Sequence, residues 1–148
     1  MINERDDSDF GGLNDWIVFG VGMFLWVVGF LTESAADNEK FVFKCRPANK
    51  GKWIESGIWR YSRHPNYFGE TLMWFSLALI VVSKNWKEGQ LYGALISPGF
   101  TMFLLFGVSG IPMVESSGEK RWGHIKEYRN YMDNTSAVIP WFPAKKLS

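Results

Sequence analysis

The chain has 148 residues, 47% of them hydrophobic and 17% aromatic, which is enough length for one domain and too apolar a composition for a disordered segment. Its formal net charge of +1 excludes a globally basic protein, so no nucleic-acid partner is expected. A lone Cys45 excludes a disulfide framework and a multi-cysteine metal site, and His64 and His124, far apart and without helical spacing, exclude a zinc-hydrolase motif.

An acidic tail, residues 1–15 with the run NERDDSD, leads into a first apolar stretch from Trp16 to Leu31. Acidic flanks and the lack of a small-residue cleavage site set it apart from a signal peptide. Glu33, Asp37, Lys40 and Lys44 follow at spacings i, i+4, i+7 and i+11, one helical face, so helix one is expected to continue past the apolar layer until Pro47. The run from Pro47 to Trp59 reads as loop, with Gly51 and Gly57 as turn residues.

Pro65 suits the first turn of a second helix, whose apolar stretch runs from Tyr67 to Val82. The unpaired amides of such a helix start attract anions. A third stretch runs from Leu91 to Val114; Ser97 before Pro98 reads as an N-cap inside it, and GVSGIP at 107–112 should kink or end it. An amphipathic helix over about Val114 to Met132 then precedes the exit sequence IPWFP.

Crossing the hydrocarbon of a bilayer takes roughly 20 helical residues, and the first two stretches are shorter than that. All three, however, are apolar on every helical face, and Trp16, Trp53, Trp59, Tyr61, Trp86 and Tyr92 collect near their ends, as at a membrane interface. The expected fold is an all-α integral membrane protein of three transmembrane helices plus a C-terminal amphipathic helix, with a membrane domain at 16–143 and a short tail at 144–148. Three spans would put Arg5, Lys84 and Lys87 on one side and the other thirteen basic residues on the opposite side. That bias puts the 33–66 loop and the C-terminus on the cytosolic or an equivalent side.

The stretch GIWRYSRHPNYFGE, residues 57–70, carries the densest chemistry. Arginine offers a fork of donors that suits phosphate, a helix start adds oriented amides, and aromatic rings flank a flat ligand. Asn66 and Glu70, one turn apart, can bond a carboxamide or a ribose. Lysines 50, 52, 145 and 146 read as interface anchors. Anchoring requires neither Asn66 nor Glu70 at a bilayer edge, so Arg63, His64, Asn66 and Glu70 together read as a site for a nucleotide-like ligand. His64 alone would serve as a capping residue. Glu33 and Asp37 are either part of that site or a local ion pair with Lys40; Glu115, Glu119 and Arg121 are either site residues or a solvated face. Cys45 reads as inert.

The run GKWIESGIWRYSRHPNYFGE, preceded by ESAADNEKFVFK and followed by VSGIPMVE and EYRNYMDNTSAVIPWFP, resembles the C-terminal domain of the steroid 5α-reductase family, over about Trp26 to Pro143. Isoprenylcysteine carboxyl methyltransferases and phospholipid methyltransferases, which use S-adenosylmethionine, carry a similar His-Pro-x-Tyr-x-Gly. The reductase resemblance implies NADPH held by helices without a Rossmann sheet, and this sequence has no strand-borne GxGxxG. By position it implies a cofactor pocket lined by Asp37, Lys44, Trp59, Arg63, Asn66, Tyr67 and Glu70 and closed by Glu115, Arg121 and Tyr128. The implied reaction is NADPH-dependent reduction of a lipid or sterol-like enone. Family reductases carry further spans before the first one seen here, which leaves a second expectation: a non-catalytic subunit of a larger membrane assembly that keeps the scaffold. A third is an S-adenosylmethionine-dependent membrane methyltransferase. Expected partners are membrane lipids, a lipid-like substrate and, for the second reading, other membrane subunits.

Overall fold

A computed structural model describes residues 13–82 and 88–144. Most of the acidic tail, the loop lysines Lys84 and Lys87 with Trp86, and Lys145 and Lys146 lie outside the described residues. Among those that are described the structure is helical and has no strand. Five α-helices follow in chain order: α1 (Leu13–Cys45), α2 (Pro65–Val82), α3 (Glu88–Phe103), α4 (Ile111–Trp122) and α5 (Lys126–Asn134).

Helix α1 runs unbroken for 33 residues, so the charged face from Glu33 to Lys44 does continue the apolar helix. It stops at Cys45 because Pro47, opening a 3-10 turn over Pro47–Asn49, cannot donate to the helix behind it. The loop then turns at Gly51 and Gly57, both with positive φ (81° and 60°), as their residue type foretold. Gly57 is doubly constrained, because a side chain there would meet the Glu39 carboxylate, which accepts the Ile58 amide at 3.0 Å. A 3-10 turn, Gly57–Arg60, delivers the chain to Pro65, and α2 begins there.

Helices α1 and α2 pack through small residues. Gly22 and Gly29, seven apart on α1, are buried and face Ile80 and Ser76, and Gly69 and Met73, along α2, and Ala36, seven further on, is buried where its carbonyl accepts from the Trp59 indole. Backbone meets backbone at the centre: a Cβ on Gly69 would sit 2.6 Å from the Gly29 carbonyl and 2.7 Å from the Glu33 amide. Neither neighbour is a flexible side-chain tip, so Gly69→Ala must push the helices apart. A destabilisation of about 1–3 kcal/mol is expected, read as lost thermal stability in detergent. In the same helices Thr32 and Ser76 return their hydroxyls to the carbonyls of Val28 and Leu72, at 2.8 and 2.5 Å, which hides polar groups in apolar surroundings.

Two segments are long and apolar enough to cross a membrane, Leu13–Cys45 and Leu95–Trp122. Only 11% of each apolar window is buried inside the chain, which is the opposite of a soluble core helix; Phe24, Leu31, Ile96 and Phe100 all point outward. The middle helix α2 has 18 residues and a polar first turn, and it is not one of the two segments among the described residues that meet the length and composition of a span.

Two local expectations need correction. Pro98 does not start a helix behind a Ser97 cap; it lies inside α3, where flanking turns hold the helix despite the missing donor. The final amphipathic helix is divided: α4 ends at Trp122, whose indole donates to the Gly51 carbonyl at 2.6 Å, and α5 starts at Lys126. Gly123 and His124 make the corner, and the Arg129 side chain donates to the Gly123 carbonyl. The break at GVSGIP is present, as a π-turn over Leu104–Val108 that ends with the Ser109 amide on the Leu104 carbonyl at 2.9 Å.

Candidate functional site

The chain from Tyr61 to His64 is held on its far side by the exit sequence. Arg63 donates its amide to Ser136 O at 2.8 Å, Ser62 its hydroxyl to Val138 O at 2.7 Å, and Trp141 its amide to Tyr61 O at 2.9 Å. Ser62 is fully buried and its hydroxyl also accepts the His64 amide at 3.1 Å. Four consecutive residues are thereby fixed just before α2, where side chains at 63, 64, 66, 67 and 70 share one end of the molecule.

Glu115 on α4 is the hub of that end. Its Oε1 lies 3.0 Å from His64 Nε2 and 3.3 Å from Arg63 Nη1, contacts that span 51 and 52 positions of sequence. His64 is buried, 4% exposed, and its ring stacks on Tyr67 with centroids 5.3 Å apart and planes 6° apart. Burial pushes the imidazolium below its ordinary range, against the stabilising pull of Glu115 and assisted by the charges of Arg63 and Lys40. A neutral His64 facing a carboxylate carries its proton on Nε2, which leaves Nδ1 as an acceptor.

A depressed folded-state value means that the unfolded chain binds the proton first. Stability from this residue is therefore whole above about pH 6.5 and is lost as pH falls from there through the folded value. Unfolding midpoints measured between pH 8 and roughly pH 5 should fall on the acid side, and His64→Gln should flatten that fall.

Trp59 and the tail helices form the floor. The Trp59 indole, 5% exposed, donates to Ala36 O at 3.1 Å, and Lys40 Nζ lies 5.1 Å from its ring. Tyr131 of α5, buried and with its phenol pushed well above the usual range by desolvation, donates to Trp59 O at 2.8 Å. Tyr128, also buried, packs edge-on against Trp53 with centroids 5.3 Å apart, and burial with nearby Glu115 and Glu119 raises its phenol. Its hydroxyl fills the space beside Gly118.

Of the ten residues expected to line a cofactor pocket, Arg63, Tyr67, Glu115, Trp59 and Tyr128 are drawn into this connected group. Asn66 and Glu70 project from the first turns of α2, half-buried and with no hydrogen-bond partner among the described residues. Asp37 and Lys44 are exposed on α1, with Lys44 about 10 Å further along the axis. Among the described residues no ion pair within 4.0 Å joins Glu33, Asp37 and Lys40. Arg121 is exposed and lies over the Trp122 ring at 5.4 Å, and none of its described contacts reaches the group. Sequence reasoning missed the joint role of His64 and Glu115, as well as Met132, whose sulfur lies 3.6 Å from Arg63 Nη1. It also missed Glu39. Only Glu39, beside a glycine-rich loop, had a local signal, namely its place among the turns of a charged helix end.

Among the described residues four buried side-chain polar atoms have no hydrogen-bond partner, Arg63 Nε, Glu33 Oε2, Thr71 Oγ1 and Thr135 Oγ1, and the first two belong to charged groups of this end. Glu33 sits on the α1–α2 seam, where Gly69 packs against it, one residue from Glu70. Among the described residues the site thus offers three carboxylates with no ion-pair partner, Glu33, Asp37 and Glu70, while its arginine is held by Glu115.

Helices alone build this end of the molecule, with an aromatic floor and charged walls at the edge of an apolar layer. The chain belongs to the family described as protein of unknown function (DUF1295), whose model matches residues 6–135. It is also similar to a protein of Ustilaginoidea virens named probable O-methyltransferase ustE, 32% identical over 102 residues, which is 68% of this chain. The chain spans 32%, about a third, of that relative's length. No solved structure matches.

Proposed function

We propose that the chain is a membrane-embedded, S-adenosylmethionine-dependent methyltransferase domain that acts on an oxygen of a lipid-like acceptor. One observation carries this choice over NADPH-dependent reduction: Arg63 is neutralised by Glu115, whereas Glu33, Asp37 and Glu70 have no ion-pair partner among the described residues. A dinucleotide brings several negative phosphate charges and needs free cations. A sulfonium zwitterion with a ribose diol needs carboxylates and aromatic rings instead. The name of the Ustilaginoidea virens relative points to the same chemistry.

When bound, S-adenosylmethionine supplies an electrophilic methyl group on a sulfonium sulfur. Glu70 and Asp37 would bond the ribose hydroxyls and the amino group, and Asn66 the adenine or the carboxylate. Tyr67, stacked on His64, would give the flat surface beside the adenine. The His64–Glu115 pair would hold a proton at Nε2, leaving Nδ1 as the nitrogen that could accept one from an acceptor hydroxyl. Trp59, Tyr128 and Tyr131 exclude water from below.

A second reading, the NADPH-dependent reductase, is favoured by Lys40 and Lys44 at the outer end of the same face and by the ordered motifs shared with the 5α-reductase family. Under it, Glu115 must release Arg63 to a phosphate. Substitution separates the two. Glu70→Gln should weaken stabilisation by S-adenosylhomocysteine about tenfold in midpoint ligand concentration and leave any NADPH effect unchanged. A Glu70→Gln protein that binds S-adenosylhomocysteine as the parent does counts against the methyltransferase site.

A further inference from the structure

The exit sequence after α5 places large apolar side chains in the open. Ile139, Trp141 and Phe142 are 66%, 71% and 77% exposed, among the highest values for apolar residues in the described chain. Their backbone is nonetheless fixed, by the bonds from Ser62 and Trp141 already noted and by the Ala144 amide on Asn134 O at 3.1 Å. Phe142 also meets the Tyr61 ring edge-on, with centroids 5.8 Å apart. A fixed backbone with outward tryptophan and phenylalanine is built for contact.

The level of this ledge says what it contacts. It is bonded to Tyr61 and Ser62, three to four residues before Pro65, where α2 starts and the apolar layer begins. Exposed Arg60 lies beside it, and the sequence continues with two lysines. Aromatic residues mixed with cations at the end of apolar helices match the boundary between headgroups and acyl chains.

We propose that Ile139–Phe142 is an interfacial wedge that inserts into the anionic headgroup boundary of the leaflet at the α2 start. Through the Arg63 amide on Ser136 O, the wedge ties the position of the site to that membrane surface. The proposal rests on the reading of the chain as membrane-embedded, and it does not depend on which cofactor the site takes.

The test uses the full chain in phosphatidylcholine vesicles containing phosphatidylserine, with Cys45→Ser and a fluorophore on one new cysteine: Ala144→Cys beside the wedge, Glu127→Cys on the exposed face of α5, or Phe24→Cys on the outer face of α1. Lipids brominated near the headgroup should quench the label at 144 at least roughly twofold more than the label at 127, and iodide should do the reverse. Trp141→Ser with Phe142→Ser, which changes no helix, should cancel that difference. Quenching by iodide alone at 144, or shielding from both quenchers as under a protein partner, overturns the wedge. If the label at 24 is quenched by brominated lipid and the label at 144 is not, the wedge fails and the embedding stands. If neither is quenched, both fail.

Discussion

Trp59→Ala is expected to be the most damaging single substitution, costing about 3–5 kcal/mol of stability, the range for deleting a buried tryptophan. Trp59 is 5% exposed and joins three elements: its indole is bonded to Ala36 of α1, its carbonyl to Tyr131 of α5, and its ring carries Lys40. Truncation leaves a cavity, frees the Ala36 carbonyl and removes the surface under the Lys40 ammonium. Trp59→Phe separates the contributions, since it keeps most of the ring and loses only the indole bond, for about 1 kcal/mol. Chemical unfolding in detergent, followed by far-ultraviolet circular dichroism, gives both numbers. If the alanine and phenylalanine variants lose the same amount, packing is not what Trp59 provides.

Glu115→Ala is expected to cost about 2 kcal/mol and to abolish ligand binding, because a single carboxylate holds two partners. Its removal leaves Arg63, already with one unbonded buried nitrogen, as an uncompensated cation beside a buried imidazole. Breaking a fully buried pair costs about 3–5 kcal/mol, and partial exposure, 29% for Glu115 and 19% for Arg63, scales that down. Glu115→Gln should recover part of the loss, since its amide oxygen still accepts from Arg63 and from His64 Nε2–H. The alanine variant should also extend the acid-side dependence assigned to His64, because the carboxylate that opposes the effect of burial on the imidazolium is gone. An Arg63→Ala, Glu115→Ala double variant should lose much less than the sum of the two single changes, since neither charge is then left alone. Additive losses would show that the pair does not act as a unit.

Local chemistry made much of the helical plan legible. Pro47 and Pro65 mark a stop and a start because a missing donor and a fixed φ act within one turn. Gly51, Gly57 and the GVSGIP break are equally local. Pro98 misled because a proline removes one backbone donor only, and the turns on either side of it in α3 keep the helix running. The corner at Gly123–His124 was hidden because it is set by Trp122 reaching Gly51, 71 positions away. The site divides the same way. Arg63, Asn66 and Glu70 stood out as costly polar groups at the edge of an apolar segment. Glu115 was one ambiguous acid on a charged helix until folding brought it to His64, and Arg121, six residues further along α4, looked equivalent but lies over the Trp122 ring instead.

Calorimetric titration of the purified chain in detergent with S-adenosylmethionine and, separately, with NADPH tests the central claim most directly. The balance of carboxylates and cations around Arg63 predicts saturable binding of S-adenosylmethionine that Glu70→Gln weakens, with no comparable heat from NADPH. Saturable NADPH binding that Arg63→Ala removes, with none for S-adenosylmethionine, contradicts it.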